Sequence, residues 1–271
     1  MPERKQSEKE PNKIRTAVVP AAGKGTRMRP ITYAVPKELL PLGSKPVIHW
    51  VLEELAGGGI SDVVLVLSRD KTAVLDYLDR VADSSLPKNI RWVYQPEPRG
   101  LGDAVGCARN ALDDAPFVVA LGDCVIDSPK PGSAVGRLCE VAAQNNCSAL
   151  LCEEVPRESV SKYGVLDPEE VTRPVFKLRG VVEKPAADKA PSNLVIAARY
   201  VLNPAIFEYL DRTDADHTGE IQLTNAMSSM IRDGYTFFGV RLEPEEKRLD
   251  IGSHSSYFEA FATMVKRQTN A

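Results

Sequence analysis

The chain has 271 residues, 43% of them hydrophobic, with a formal net charge of −3 and a pI of about 5.8. This length can bury the core of one large domain, and the acidic balance argues against a nucleic-acid partner, which favours a clustered basic face. No apolar run approaches the ~20 residues of a membrane-spanning helix, and five cysteines without a C-x-x-C pair favour a reduced, cytoplasmic protein without a zinc site.

Residues 1–12 are charged and lack an apolar stretch, so we expect a disordered tail rather than a secretory signal. Beyond this tail, β-rich runs alternate with helical patterns. Strands are predicted at 16–19, 63–67, 90–94 and 117–121. Helices are predicted at 47–56, 71–81 and 102–112. This order indicates an α/β, Rossmann-like fold in which a mostly parallel mixed sheet is flanked by helices.

The second half of the chain has longer predicted strands and more irregular connections. Strands are predicted at 149–155, 176–183 and 194–202. Helices are predicted at 204–209, 221–232 and 255–267. We expect these strands to continue the same sheet. In a sheet of this kind ligands bind at the carboxyl ends of the strands, and Gln95 and Asp123 follow two of the predicted strands there.

The stretch GKGTR (23–27) follows the first predicted strand. Its glycines permit unusual dihedrals and close backbone approach, and successive N–H groups in such a loop attract phosphate oxygens. The spacing matches neither the P-loop nor G-x-G-x-x-G, whose sixth position here is Met28. Lys37 then lies between two prolines that fix the local backbone. The residues alone leave a phosphate site and an ordinary turn both open.

Together, GKGTR and PKELLP (36–41) resemble the signature of sugar-1-phosphate nucleotidylyltransferases. Two later segments resemble the base-reading segment and the metal-binding strand end of this family: QPEPRGLGDA (95–104) and LGD (121–123). Four more resemble its bacterial UTP–glucose-1-phosphate uridylyltransferase branch: KYGV (162–165), VEKP (182–185), APSNL (190–194) and GEIQLT (219–224). These matches follow one another in order along nearly the whole chain.

The resemblance implies transfer of a uridylyl group from UTP to glucose 1-phosphate, with Mg²⁺ as cofactor. It implies a single nucleotidylyltransferase domain at 13–271, with a nucleotide-binding half at 13–130. The sugar-binding half, with the C-terminal helix, then occupies 131–271. The expected partners are the two small-molecule substrates and further copies of the chain in a homo-oligomer, with no nucleic acid and no membrane.

The resemblance also implies the roles of individual residues. The implied catalytic cations are Arg27, Lys37 and Lys184, and the implied metal ligands are Asp123 and Asp250. The implied substrate contacts are Ala22, Gly23, Gly25, Thr26, Gln95, Gly100, Gly102, Gly164, Glu183 and Asn193. The amide of Gln95 carries a donor and an acceptor that match the edge of uracil, and the glycines at 100 and 102 would let backbone groups reach the base.

The sequence also bears on three alternative functions. Uracil and thymine present the same edge, so thymidylyl transfer or another nucleotide–sugar pair stays open. Lys24, Arg29, Tyr33 and a short segment between residues 79 and 91 depart from the family pattern. A non-catalytic nucleotide-sugar-binding regulator should have lost Arg27, Lys37 or Asp123, and all three are present. An oxidoreductase is disfavoured because the dinucleotide fingerprint fails.

Overall fold

The computed structural model describes residues 13–171 and 173–269, so the predicted tail at 1–12 lies outside the described residues. The strands are β1 (Thr16–Pro20), β2 (Pro41–Leu42), β3 (Lys45–Pro46), β4 (Asp62–Leu67), β5 (Asn89–Tyr94), β6 (Phe117–Ala120), β7 (Cys124–Asp127), β8 (Ser148–Glu154), β9 (Gly164–Pro168), β10 (Val175–Glu183), β11 (Leu194–Leu202), β12 (Phe237–Arg241) and β13 (Lys247–Asp250). The α-helices are α1 (Ile31–Ala34), α2 (Val47–Gly57), α3 (Thr72–Arg80), α4 (Leu101–Cys107), α5 (Ser133–Asn145), α6 (Ile206–Leu210), α7 (Leu223–Arg232) and α8 (His254–Thr269).

One nine-stranded sheet runs through both halves of the chain, in the order β5-β4-β1-β6-β11-β8-β12-β10-β9. β5, β4, β1 and β6 are mutually parallel. β11 is antiparallel to both β6 and β8, and β10 is antiparallel to both β12 and β9. The predicted α/β fold with a mixed sheet and flanking helices is confirmed. Four adjacent strands of the first half are parallel, and the second half adds one more parallel pair, β8 and β12.

Both faces of the sheet are covered. Along β1, Ala17 and Val19 pack into a core with α2, α5 and α8, whereas Val18 packs into a second core with α4, α6 and α7. Successive side chains of a strand point to opposite faces, which explains why buried parallel strands read as continuous apolar runs. No helix in the described part of the chain is both long and apolar enough to cross a membrane.

Several elements differ from the predictions for physical reasons. α7 begins at Leu223 rather than at 221, because the backbone of Ile221 bonds instead to Arg99 and Gly102. α4 ends at Cys107, and a separate 3-10 turn, Arg109–Ala111, continues the chain. Patterning missed eight elements: β2, β3, β7, β9, β12, β13, α1 and α5. β7 and β13 form a small two-stranded sheet of their own, and strands of four residues are too short for a periodic signal.

The parallel strands decide where ligands can approach. Because β1, β4, β5 and β6 run in one direction, their carboxyl ends meet at the same edge of the sheet. The chain continues from these ends into the GKGTR loop, the turn at Lys71, Gln95 and Asp123, respectively. Four different segments therefore converge at one edge, as expected for a ligand site in this class of sheet.

Candidate active site

The glycine loop is closed by contacts within the protein. Gly25 has a φ of +61°, a region that favours glycine, and a Cβ there would lie 2.9 Å from Thr32 Cγ2. The Thr32 hydroxyl donates a hydrogen bond to the Gly25 carbonyl (2.8 Å). Gly23, Thr26 and Arg27 remain exposed. The loop is thus shaped before any ligand binds, and it leaves these three residues open to solvent.

Lys37 reaches the same edge from a 3-10 turn, Lys37–Leu39. Its ammonium forms an ion pair with the carboxylate of Asp123, 86 residues further along the chain. A Cβ on Gly23, which follows the buried Ala22, would lie 3.6 Å from Lys37 Nζ. Burial alone would lower the pKa of Lys37, but the carboxylate of Asp123 leaves that pKa above its ordinary value. Lys37 is therefore a cation at physiological pH, in contact with the loop.

Asp123 and Asp250 lie close together. β13 pairs antiparallel with β7, which sets Asp250 opposite Cys124, and the Ile251 N–H donates to the Asp123 carbonyl (3.1 Å). Burial and the neighbouring Asp123 charge raise the pKa of Asp250. Two neighbouring carboxylates repel each other when both are ionised. The carboxylates of Asp123 and Asp250 therefore favour the binding of cations beside them.

Cations are present on both sides of the carboxylates. Lys37 pairs with Asp123, and the guanidinium of Arg27 lies over Gly252, where an added Cβ would be 2.8 Å from Arg27 Nη2. Within residues 13–171 and 173–269, no group of three or more His, Cys, Asp and Glu side chains could hold a metal ion. Mg²⁺ typically takes one or two carboxylates and completes its shell with substrate oxygens and water. The two carboxylates fit that pattern.

The backbone next to Asp123 is hydrogen-bonded to a buried ion pair. Arg199 of β11 is fully buried and donates to both carboxylate oxygens of Glu54 in α2, at 2.7 Å each. The same guanidinium donates to the Cys124 carbonyl (2.8 Å). Charge-assisted bonds of this kind are strong and directional. The pair thereby ties the backbone beside Asp123 to the sheet and to α2.

Gly164 and Glu183 meet at the other half of the sheet. They are opposite each other in the β9–β10 pairing, and a Cβ on Gly164 would lie 3.5 Å from Glu183 Oε2 and 3.2 Å from Thr224 Oγ1. Lys184 has a φ of +40°, and its ammonium lies 3.0 Å from Glu183 Oε1. A non-glycine residue in that region carries backbone strain, and such strain clusters at functional sites.

Asn193 is engaged elsewhere. Its amide donates to Glu154 Oε1 (2.7 Å), and it precedes β11 by one residue. The β11 residue nearest to the Gly164 position is Ile196. In the described residues Asn193 makes no hydrogen bond to Gly164, Glu183 or Thr224, so its sugar contact stays a prediction.

Gln95 is buried after β5, and its amide nitrogen donates to Asp103 Oδ2 (2.7 Å) and to the Gly100 carbonyl (3.2 Å). The two glycines, which were expected to let the backbone reach a base, make their close contacts with protein. A Cβ on Gly100 or on Gly102 would lie 2.8 Å from the Ile221 carbonyl oxygen. The amide oxygen of Gln95 is the group that these contacts leave for a ligand.

Three charged residues of this region were missed by sequence reasoning. Asp103 bonds both Gln95 and Arg99 (Nη2, 2.8 Å). Lys71 and the fully buried Glu38 form an ion pair; burial lowers the pKa of Lys71 and raises that of Glu38, while each charge opposes the shift of the other. The available signal for Lys71 was its place after β4, at the same edge as the loop.

The chain is similar to known proteins over nearly its whole length. The nucleotidyl transferase family matches residues 16–267. A UTP–glucose-1-phosphate uridylyltransferase of Bacillus subtilis (strain 168) is 37% identical over 259 residues, covering 89% of this chain and 87% of that protein. The Mycoplasma pneumoniae protein of the same name is 35% identical over 269 residues, covering 92% and 91%. A crystal structure of UDP-glucose pyrophosphorylase complexed with UDP-glucose superimposes with a TM-score of 0.86 at 33% identity, covering 94% of this chain and 99% of that one.

Proposed function

The chain belongs to the nucleotidyl transferase family, and we propose that it transfers a uridylyl group from UTP to glucose 1-phosphate, forming UDP-glucose and pyrophosphate. The observation that carries the proposal is the convergence of Arg27 and Lys37 with Asp123 and Asp250 at one strand edge. Relatives named UTP–glucose-1-phosphate uridylyltransferase match about nine-tenths of the chain.

The chemistry suits a site without a general base. The attacking oxygen of glucose 1-phosphate is already an anion, so catalysis is positioning plus charge neutralisation. Arg27 and Lys37 would neutralise the triphosphate, and the backbone at Ala22, Gly23, Gly25 and Thr26 would contact it. When bound by Asp123 and Asp250, Mg²⁺ would neutralise further phosphate charge.

Lys37 and Asp123 form an ion pair before substrate binds. This pairing keeps a partly buried cation and a partly buried anion from facing the site alone, which would be costly. The negative charge of a bound triphosphate would give Lys37 a second anionic partner. The proposal assigns to Lys37 the role of holding phosphate oxygens during the transfer.

The sugar phosphate would bind on the other half of the sheet. Glu183 would accept hydrogen bonds from glucose hydroxyls, and the missing Cβ of Gly164 leaves room for them beside Glu183. Lys184, strained and half exposed, would hold the phosphate. Asn193 stays a proposed sugar contact, although its amide is bonded to Glu154 in this structure.

The base would be read by Gln95. Its nitrogen is occupied by Asp103 and Gly100, so its oxygen would accept the ring N–H that uracil presents. Gly100 and Gly102 would then line the base pocket through their backbone while packing on Ile221. Thymine carries the same N–H, so nucleotide preference is decided by experiment.

That experiment is pyrophosphate release from UTP, dTTP, ATP, CTP and GTP in turn, with glucose 1-phosphate and Mg²⁺. UTP should give the highest kcat/KM. Higher kcat/KM with dTTP would refute the uridylyl specificity, and no turnover with any nucleotide would refute the transfer reaction itself.

The proposal also covers the cellular location and the oligomeric state of the enzyme. All five cysteines are free thiols, which suits the reducing cytoplasm, and we propose that location. We also propose a homo-oligomer, which the molar mass in solution would test.

A further inference from the structure

The two segments assigned to the nucleotide phosphates come from separate parts of the chain. The glycine loop follows β1, and Lys37 lies in the turn Lys37–Leu39, which is outside the nine-stranded sheet. We propose that the buried ion pair between Lys71 and Glu38 is the positioning device that holds these segments at a fixed separation. The inference rests on the proposed function in that it takes phosphate groups as the ligand.

Lys71 has a complete set of partners. Its ammonium donates to Glu38 Oε1 (2.8 Å), Glu38 Oε2 (2.7 Å) and the Ala21 carbonyl (2.6 Å). An ammonium has three donors, so all are used. Lys71 is 6% exposed and Glu38 is 0% exposed. With its donors saturated and its side chain buried, Lys71 holds protein groups rather than substrate.

Each partner of Lys71 belongs to one of the two segments. Ala21 lies between β1 and the glycine loop, two residues before Gly23, and its own N–H donates to the Val66 carbonyl of β4 (2.8 Å). Glu38 directly follows Lys37 in the turn. One ammonium therefore ties the backbone that leads into the loop to the neighbour of the catalytic lysine.

The separation that this pair sets is short. A Cβ on Gly23 would lie 3.6 Å from Lys37 Nζ, so the loop and the lysine face each other directly. Catalysis by positioning is sensitive to shifts of about 1 Å, which can cost about 10²-fold in rate. Without the Lys71–Glu38 pair, fewer contacts would link the loop to Lys37, and their separation would not be held to that tolerance.

Net stability does not account for the pair. A buried ion pair contributes little compared with apolar side chains of similar size, although removing one partner alone is costly. The double variant Lys71→Met/Glu38→Met is therefore the informative change, because it removes both charges and keeps much of the volume. Glu38→Gln is the second variant, since it keeps the shape of the side chain and removes its charge.

The first readout is the affinity for inorganic pyrophosphate with Mg²⁺, measured by calorimetry, which requires no turnover. We expect the double variant to bind at least about 10-fold more weakly and its kcat with UTP and glucose 1-phosphate to fall by about 30- to 100-fold. The KM for glucose 1-phosphate should stay within about threefold, because the pair lies in the nucleotide half. Glu38→Gln should show a smaller loss of the same kind.

The matched control is Lys45→Met/Glu53→Met, which removes an ion pair of the same residue types (2.8 Å) on β3 and α2. It should leave pyrophosphate affinity and kcat unchanged. Wild-type affinity and kcat in the Lys71→Met/Glu38→Met variant would overturn the inference. So would a fall of its melting temperature by more than about 10 °C, since the pair would then serve stability.

The pyrophosphate titration separates this inference from the proposed function. A wild-type chain that binds pyrophosphate but does not use UTP would refute the function, while the inference would still be decided by the variants' affinities. A wild-type chain that binds no pyrophosphate would overturn the inference directly.

Discussion

Gly252→Ala places a methyl group between two groups of the proposed site. The added Cβ would lie 2.8 Å from Arg27 Nη2 and 3.3 Å from both oxygens of Asp250. Non-bonded contacts need about 3.5 Å, so the guanidinium must move by about 0.7 Å. Gly252 lies outside the positive-φ region, so the substitution adds no backbone strain.

The expected effect falls on rate rather than on folding. The obstructing atom is the end of a flexible side chain, which can shift without disturbing the core. Since misplacement by about 1 Å costs up to about 10²-fold, we expect kcat to fall by about 10- to 100-fold, or about 1.4 to 2.7 kcal/mol in activation free energy. The assay is pyrophosphate release from UTP and glucose 1-phosphate, with thermal unfolding measured in parallel.

Gly136→Ala is the matched control, because a Cβ there meets nothing within 4 Å and the residue lies within α5. It should leave kcat unchanged and raise the free energy of unfolding by about 0.5–1 kcal/mol. A kcat within about twofold of wild type for Gly252→Ala would refute the placement of Arg27 in the transfer step.

Four further changes test other parts of the account. Asp123→Asn should lower Mg²⁺-dependent turnover by about 10³-fold; near-normal pyrophosphate release would contradict its metal role. Gln95→Met should raise the KM for UTP by about 10-fold, the value of one hydrogen bond, with the KM for glucose 1-phosphate unchanged; equal shifts of both would be evidence against base reading. Asn146→Gly, at a φ of +46° after α5, should raise the free energy of unfolding by about 0.5 kcal/mol, and a lower melting temperature would count against it. Burial would raise the pKa of Glu246, but hydrogen bonds, first among them that from Arg137, lower it below its ordinary value. The stability that Glu246 contributes is thus present above its unfolded pKa and lost as pH falls through the folded value. The difference in unfolding free energy between wild type and Glu246→Gln should shrink from pH 7 to pH 3, and a constant difference would contradict this.

The placement of the site could be predicted from the sequence, because parallel strands end at one edge. The same rule covers the glycine loop, Gln95 and Asp123, and all three lie there. It also covers Lys71 after β4, although the helical pattern at 71–81 makes that lysine the first residue of a predicted helix. Patterning alone does not distinguish a lysine of the site from one at a helix terminus.

Other contacts depend on pairings that no local pattern contains. The closeness of Asp250 to Asp123 requires β13 to pair with β7, two strands of four residues each. The Arg199–Glu54 pair joins residues 145 apart. At Gly100 and Gly102 the sequence analysis expected the backbone to approach a base, and the close neighbour in the structure is the Ile221 carbonyl.

Uridylyl transfer is tested most directly by identifying, by chromatography and mass, the product that the wild-type chain forms from UTP and glucose 1-phosphate with Mg²⁺. We expect UDP-glucose and pyrophosphate in equal amounts, with formation abolished when the metal is chelated. Absence of UDP-glucose under saturating substrates, or its formation at the same rate without metal, would contradict it.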